Sequence, residues 1–151
     1  MKNSIEASIK HIEQINNSAR IILTVSPIRH LRSGVTESSR SKAVLLSAIQ
    51  ELVDINDMLS YFPSYEIFMD ELRDYRFAKE DLTHPTPMAE QYIWDRFCET
   101  YFTDSTNSIL KEVNRYIDFK NHRPKNTDLH QSQIDSKKNK LKQQYPFINL
   151  Q

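Results

Sequence analysis

Two short β-branched runs, RIILTVSP at residues 20–27 and MLSYFPS at residues 58–64, are the stretches of this chain that read as strands. The first is nearly continuous in apolar residues, which predicts a strand buried on both faces of a parallel sheet. Pro63 marks the end of the second. With a helical pattern between them, the order helix, strand, helix, strand, helices makes the fold class α/β with parallel pairing. Two strands are few for such a sheet, which usually has about four to six. The chain is therefore expected to be one side of a larger domain whose other half is not among these 151 residues.

The helices follow from apolar spacing. Residues 3–16 carry Ile5, Ile9, Ile12 and Ile15, with Asn3 and Glu6 spaced as a capping box. A second helix is predicted from about Ser39 to Asn56, burying Val44, Leu45, Ala48, Ile49, Leu52 and Val53. A short helix follows Ser64. Thr86 and Pro87 supply an N-cap and a first-turn proline for a helix with Met88, Tyr92, Ile93, Phe97 and Tyr101. Another starts near Ser105 and stops before Pro124. Residues 125–145 hold only Leu129, Ile134 and Leu141, too few to build a core alone, so they read as a weak helix or a docking tail.

Composition narrows the function classes. At 38% hydrophobic and 26% charged residues, the chain is neither disordered nor membrane-like. No apolar run approaches the about 20 residues needed to span a bilayer, and no signal-peptide pattern opens the sequence. The expected compartment is the cytoplasm, unless an upstream signal has been lost. The single cysteine, Cys98, rules out an internal disulfide and a Cys-rich zinc site; it lies on an apolar helix face, where a buried inert thiol is expected. The single glycine, Gly34, argues against any Gly-rich phosphate loop, so no nucleotide cofactor is expected. Residues 120–142 carry seven Lys/Arg against Asp128 and Asp135, a basic segment suited to phosphates or an acidic partner, or simply a solvated helix face.

Three constellations could carry chemistry. Asp81 and His84 have the spacing at which a carboxylate can accept a hydrogen bond from imidazole Nδ1–H and leave Nε2 free to take a proton from a serine. Pro85 biases His84 out of the helical region and into a loop, while the spacing alone also occurs by chance. Ser26, Arg29 and His30 leave the C-terminal end of the first strand, the edge where parallel sheets bind ligands, and read either as substrate contacts or as ordinary loop polarity. Ser26 lacks the glycine-flanked elbow of a nucleophile. Arg73, Asp74 and Arg76 are placed to brace the Asp-His pair with salt bridges. His11, His122 and His130 are scattered and suggest no metal site, and the aromatic residues fall at core spacing rather than as a nucleic-acid stacking platform.

Taken in order, TVSPIRHLRSG, YFPSYEIFMDELRDYRF and EDLTHP resemble the C-terminal half of the GSCFA family, a bacterial family similar to the SGNH/GDSL hydrolases. The resemblance runs from about residue 5 to about residue 120. It implies a partial SGNH/flavodoxin-like three-layer domain over residues 1–122, with a polar basic helical tail over 123–151. It also implies that His84 and Asp81 are the base and acid of a serine esterase or deacylase triad, with Ser26, Arg29 and His30 lining the pocket. No cofactor and no metal are implied. The Gly-Ser-Cys-Phe-Ala block that resembles the nucleophile segment is absent from these residues, so the chain alone is expected to be inactive. Its expected partners are an acyl-ester substrate, on a carbohydrate or otherwise, and either the missing N-terminal half or a second copy meeting an exposed sheet edge. Neither nucleic acid nor a membrane span is expected. The alternative reading is a non-catalytic or degenerate assembly module.

Overall fold

Ile5 and Ile9 recur at helical spacing because both pack on the sheet residues Ile21, Leu23 and Leu59, as the computed structural model of the chain shows. The structure describes residues 1–122 and 127–150. Helix α1 (Lys2–Ile15) leads to strand β1 (Ile21–Thr24), a 3-10 turn (Leu31–Ser33), helix α2 (Val35–Val53) and strand β2 (Leu59–Phe62). A single turn α3 (Ser64–Glu66) then runs directly into a π-helical turn (Ile67–Glu71). A second 3-10 turn (Tyr75–Phe77) precedes α4 (Pro87–Tyr101), and α5 (Asp104–Asn121) and α6 (Thr127–Gln144) complete the chain. It is a partial α/β domain followed by helices.

The two strands pair in parallel, Ile21 opposite Leu59 through Thr24 opposite Phe62. Leu52 of α2 joins Ile9 and Leu59 in the core of one sheet face. On the other face Phe62 is met edge-on by Phe97 of α4, with ring centroids 5.1 Å apart. That cover does not extend to β1, where Ile22 and Thr24 are exposed. Burial therefore alternates along β1, and the expected strand buried on both faces is instead half open.

Other boundaries shifted for identifiable reasons. Gly34 takes φ 91° and ψ 166°, a region open essentially to glycine, and so turns the chain into α2 at Val35 rather than Ser39. The buried stripe of α2 is then Ser38, Ala48, Ile49 and Leu52, while Val44 is exposed. The Asn3–Glu6 capping box does not form, since α1 starts at Lys2 and Glu6 pairs with Lys10 one turn on. Thr86 gives its carbonyl to Glu90 N–H and opens α4 as expected, but its hydroxyl faces the carbonyls of Arg76 and Phe77.

The chain divides into two compact units, Met1–Phe97 and Cys98–Gln151. In the second, Ile134 and Leu141 of α6 join Tyr116 of α5 and Leu150 in a small core. The sparse apolar residues of the tail thus find a partner helix, although Leu129 stays exposed. Cys98 is buried and forms no disulfide. No helix among the described residues is long and apolar enough to cross a membrane.

The packing sets a contrast within α2. Leu52→Ala should lower stability by about 2–4 kcal/mol, the range for opening a cavity in a core. Val44→Ala should change it by less than about 0.5 kcal/mol, as for a surface position. Urea unfolding of both variants checks this, and equal shifts in midpoint would mean that the buried face of α2 is assigned wrongly.

Candidate active site

Both strands end in a shared lock of hydroxyls. Ser64 Oγ lies 2.8 Å from the Val25 carbonyl and 2.7 Å from Thr24 Oγ1, which in turn reaches the Phe62 carbonyl at 2.8 Å. From this lock the chain leaves β1 into the loop holding Ser26, Arg29 and His30. It leaves β2 into the π-helical turn and then the segment 72–86. Those two excursions meet again where Arg29 N–H donates to the Thr83 carbonyl at 3.5 Å. The Asp81–His84 loop is thereby placed beside the loop that follows β1, at the strand ends where open α/β sheets bind ligands.

The loop is a hairpin in miniature. Ala78 and Pro85 form an antiparallel bridge, and Lys79 N–H donates to the His84 carbonyl at 2.8 Å. Leu82 N–H closes a turn onto the Lys79 carbonyl at 2.8 Å, and Leu82 itself takes φ 55°. A left-handed leucine costs about 1 kcal/mol or more, the kind of local strain that collects at functional sites. Here it lets the next two peptide N–H groups turn inward onto Asp81.

Asp81 organises the turn. Its Oδ1 accepts from Thr83 N–H at 2.8 Å and His84 N–H at 3.0 Å. Its Oδ2 lies 2.7 Å from His84 Nδ1. The backbone bond from His84 first, then that from Thr83, and then the imidazole contact lower the Asp81 carboxyl to about 2. An ionised carboxylate can only accept, so Nδ1 carries the proton and neutral His84 presents Nε2 as a free acceptor. Both side chains are about half exposed, 48% for His84 and 49% for Asp81. The imidazole is held in one tautomer yet remains reachable.

The other expected site residues are distributed differently. Arg29 lines a cleft of about 390 Å³ together with Leu82 of the His84 loop. Ser26 Oγ accepts the Ile28 N–H at 3.3 Å, and its carbonyl accepts Lys42 Nζ at 2.5 Å. Burial holds the Lys42 amine below its ordinary value. His30 is exposed, and its backbone N–H donates to the buried Ser38 Oγ at 3.2 Å. Among the described residues, no hydrogen bond or shared cleft links the Ser26 or His30 side chain to the Asp-His pair.

Arg76 pairs with Asp74 at 3.5 Å, as a bracing role would require, but neither residue bonds to Asp81 or His84. Arg73, expected as another brace, lines the cleft and pairs with no carboxylate among the described residues. Its position four residues after Met69, another lining residue, was the available signal. Among the described residues, no group of three or more His, Cys, Asp or Glu side chains is set to hold a metal ion.

A parallel strand pair, with a carboxylate-held imidazole in a loop beyond its C-terminal end, defines the class: a partial α/β domain. The GSCFA family model matches residues 1–97, the whole of the first compact unit, and the chain belongs to the GSCFA family. No curated protein and no solved structure matches it.

The site makes two measurable demands. Because the Asp81 value lies below the ordinary 3.8, its stabilisation of the turn is complete above that pH and fades as pH falls toward 2. A carbon-13 titration of the Asp81 carboxyl should therefore show a midpoint near 2, whereas one near 3.8 would mean that the loop N–H groups do not hold it. Asp81→Asn should reverse the tautomer of neutral His84, since Oδ1 stays with the backbone and the amide NH₂ then faces Nδ1. Nitrogen-15 spectra of the imidazole should report Nδ1–H in the parent chain and Nε2–H in the variant; Nδ1–H in both would contradict the assignment.

Proposed function

We propose that this chain carries the base and its orienting acid for an SGNH-like serine esterase or deacylase. The observation that supports it most directly is the 2.7 Å contact between His84 Nδ1 and Asp81 Oδ2, with Nε2 left free. In this reading His84 Nε2 removes the proton from a serine hydroxyl as its oxygen attacks the acyl carbonyl. The imidazolium then gives that proton to the departing alcohol oxygen, leaving an acyl-serine. Water, deprotonated by the same Nε2, attacks the acyl carbon and releases the acid while the serine regains its proton. Asp81 remains ionised throughout and stabilises the imidazolium. The substrate is an acyl ester, with carbohydrate esters within the class.

The serine has to come from elsewhere. The block Gly-Ser-Cys-Phe-Ala does not occur in residues 1–151, and Ser26 has its hydroxyl oxygen engaged by Ile28 N–H. Nucleophile and oxyanion donors are each worth orders of magnitude in rate, so residues 1–151 alone should show only background hydrolysis.

The test joins this chain to a family segment bearing the GSCFA block and follows aryl-acetate hydrolysis. The joined protein should turn over, the separate chain should not, and His84→Ala in the joined protein should reduce kcat by about a thousandfold or more. Unchanged turnover in that variant would remove His84 from the chemistry.

A second reading, an assembly module, draws on the open side of β1. Ile21 N–H donates to the Met58 carbonyl, so in a parallel ladder the peptide groups of Ile22 and Thr24 point away from β2, and Ile22 is exposed beside them. Under this reading sedimentation shows concentration-dependent self-association that Ile22→Lys abolishes. A chain that stays monomeric and binds no partner rules it out.

A further inference from the structure

We infer that the cleft beside the His84 loop binds an oxyanion attached to an apolar body, and hence that the ester substrate carries a carboxylate or phosphate group. As a statement about substrate, this rests on the esterase reading; as a statement about a binding site, it stands on the cleft alone.

Arg29 and Arg73 both line one cleft of about 390 Å³, whose apolar wall is made by Phe68, Met69, Leu72 and Leu82. Two cations at an apolar wall need an explanation, and the neighbouring carboxylate does not supply one. Asp74 also lines the cleft, but its Oδ1 accepts Arg76 N–H at 3.0 Å and its Oδ2 pairs with Arg76 Nε at 3.5 Å. Among the described residues, Arg29 Nη2 meets the weak acceptor Met69 Sδ, at 3.7 Å. Among the described residues, no carboxylate pairs with Arg29 or Arg73. A guanidinium presents a planar fork of donors that fits carboxylate and phosphate oxygens, and charge-assisted bonds to those oxygens are stronger than neutral ones.

Backbone geometry ties the cleft to the acid–base pair. The π-helical turn Ile67–Glu71 supplies Phe68 and Met69 and delivers Leu72 and Arg73 immediately after it; such turns are frequent at functional sites. Leu82, the left-handed residue between Asp81 and His84, forms part of the wall. Arg29 N–H bonds the Thr83 carbonyl, so the arginine at the cleft and the residue preceding His84 are held together. A ligand whose charged end lies on Arg29 and Arg73 would have its body against the apolar wall that includes Leu82, a residue of the Asp81–His84 turn.

The experiment titrates the full chain with phenyl phosphate, benzoate and neutral benzyl alcohol at low salt, following amide shifts. Both anions should perturb Arg29, Met69, Arg73 and Leu82 and should bind about tenfold or more tightly than the alcohol. Arg29→Gln and Arg73→Gln should each weaken anion binding about three- to tenfold. Arg73→Lys should retain part of it, and Arg115→Gln, in the other unit, should have no effect. Raising salt should weaken the anions and spare the alcohol.

Equal affinity for anion and alcohol, shifts that map elsewhere, or Arg→Gln variants that bind as the parent does would each overturn the proposal. Amide spectra of the variants establish that they are folded. The readout is independent of turnover: anion binding to a joined protein that hydrolyses no ester with His84 intact leaves the cleft assignment standing and removes the esterase reading. Hydrolysis of neutral esters without anion binding does the reverse.

Discussion

Four residues of β1 against four of β2 hold the first unit together, and the candidate site depends on the register of that pairing. Opposing Thr24 to Phe62 brings Ser64, two residues further on, within hydrogen-bond reach of both Thr24 and the Val25 carbonyl. Those bonds stop both strands at the same level and release both loops on the same side. A slip of one residue would invert one strand relative to the other, turning either Ile21 and Leu23 or Leu59 away from α1 and α2. The burial of these few side chains is thus what fixes the register. The meeting of Arg29 with Thr83 follows from it.

The Asp81–His84 pair has a different physical basis. Asp81 is drawn to low pKa by peptide N–H groups two and three residues ahead of it, while its side chain remains half exposed. A buried dyad has to offset desolvation of the carboxylate, whereas this one uses the polarity of its own turn. The turn is closed by bonds among residues 77–86 and by one carbonyl contact from Arg29. Such a device tolerates a thin sheet, since little of its geometry is borrowed from the core. Its exposure leaves the imidazole accessible from outside the turn.

How much of this was legible in the sequence depends on the range of the interactions. Asp81 and His84 could be read because their geometry is local: i to i+3 spacing, with Pro85 biasing the backbone. The parallel α/β class followed from two β-branched runs with a helix between them. Arg73 was misread because charge spacing in Arg73-Asp74-Tyr75-Arg76 looks like a bracing network, whereas the π-helical turn sends Arg73 into the cleft and leaves Asp74 to Arg76. A single inserted turn residue is not visible in apolar periodicity. The half-open face of β1 was missed for a related reason: Ile22 is apolar whether or not anything covers it, and only the position of Phe97 shows that cover stops at Phe62.

Gly34 shows how one backbone position can alter both readings. Its conformation starts α2 four residues early, which places Ser38 in the first turns, buried, with its hydroxyl accepting His30 N–H. A Cβ at Gly34 would meet nothing within 4 Å, so the constraint is the positive φ and not space. The loop after β1 is consequently anchored at two adjacent residues, Arg29 by the Thr83 carbonyl and His30 by Ser38 of α2. With these two anchors the Arg29 backbone has little freedom to leave the cleft, while its guanidinium lies beside the Met69 thioether. The only glycine of the chain, whose solitude argued against a phosphate loop, thereby helps to hold in place an arginine suited to an anion.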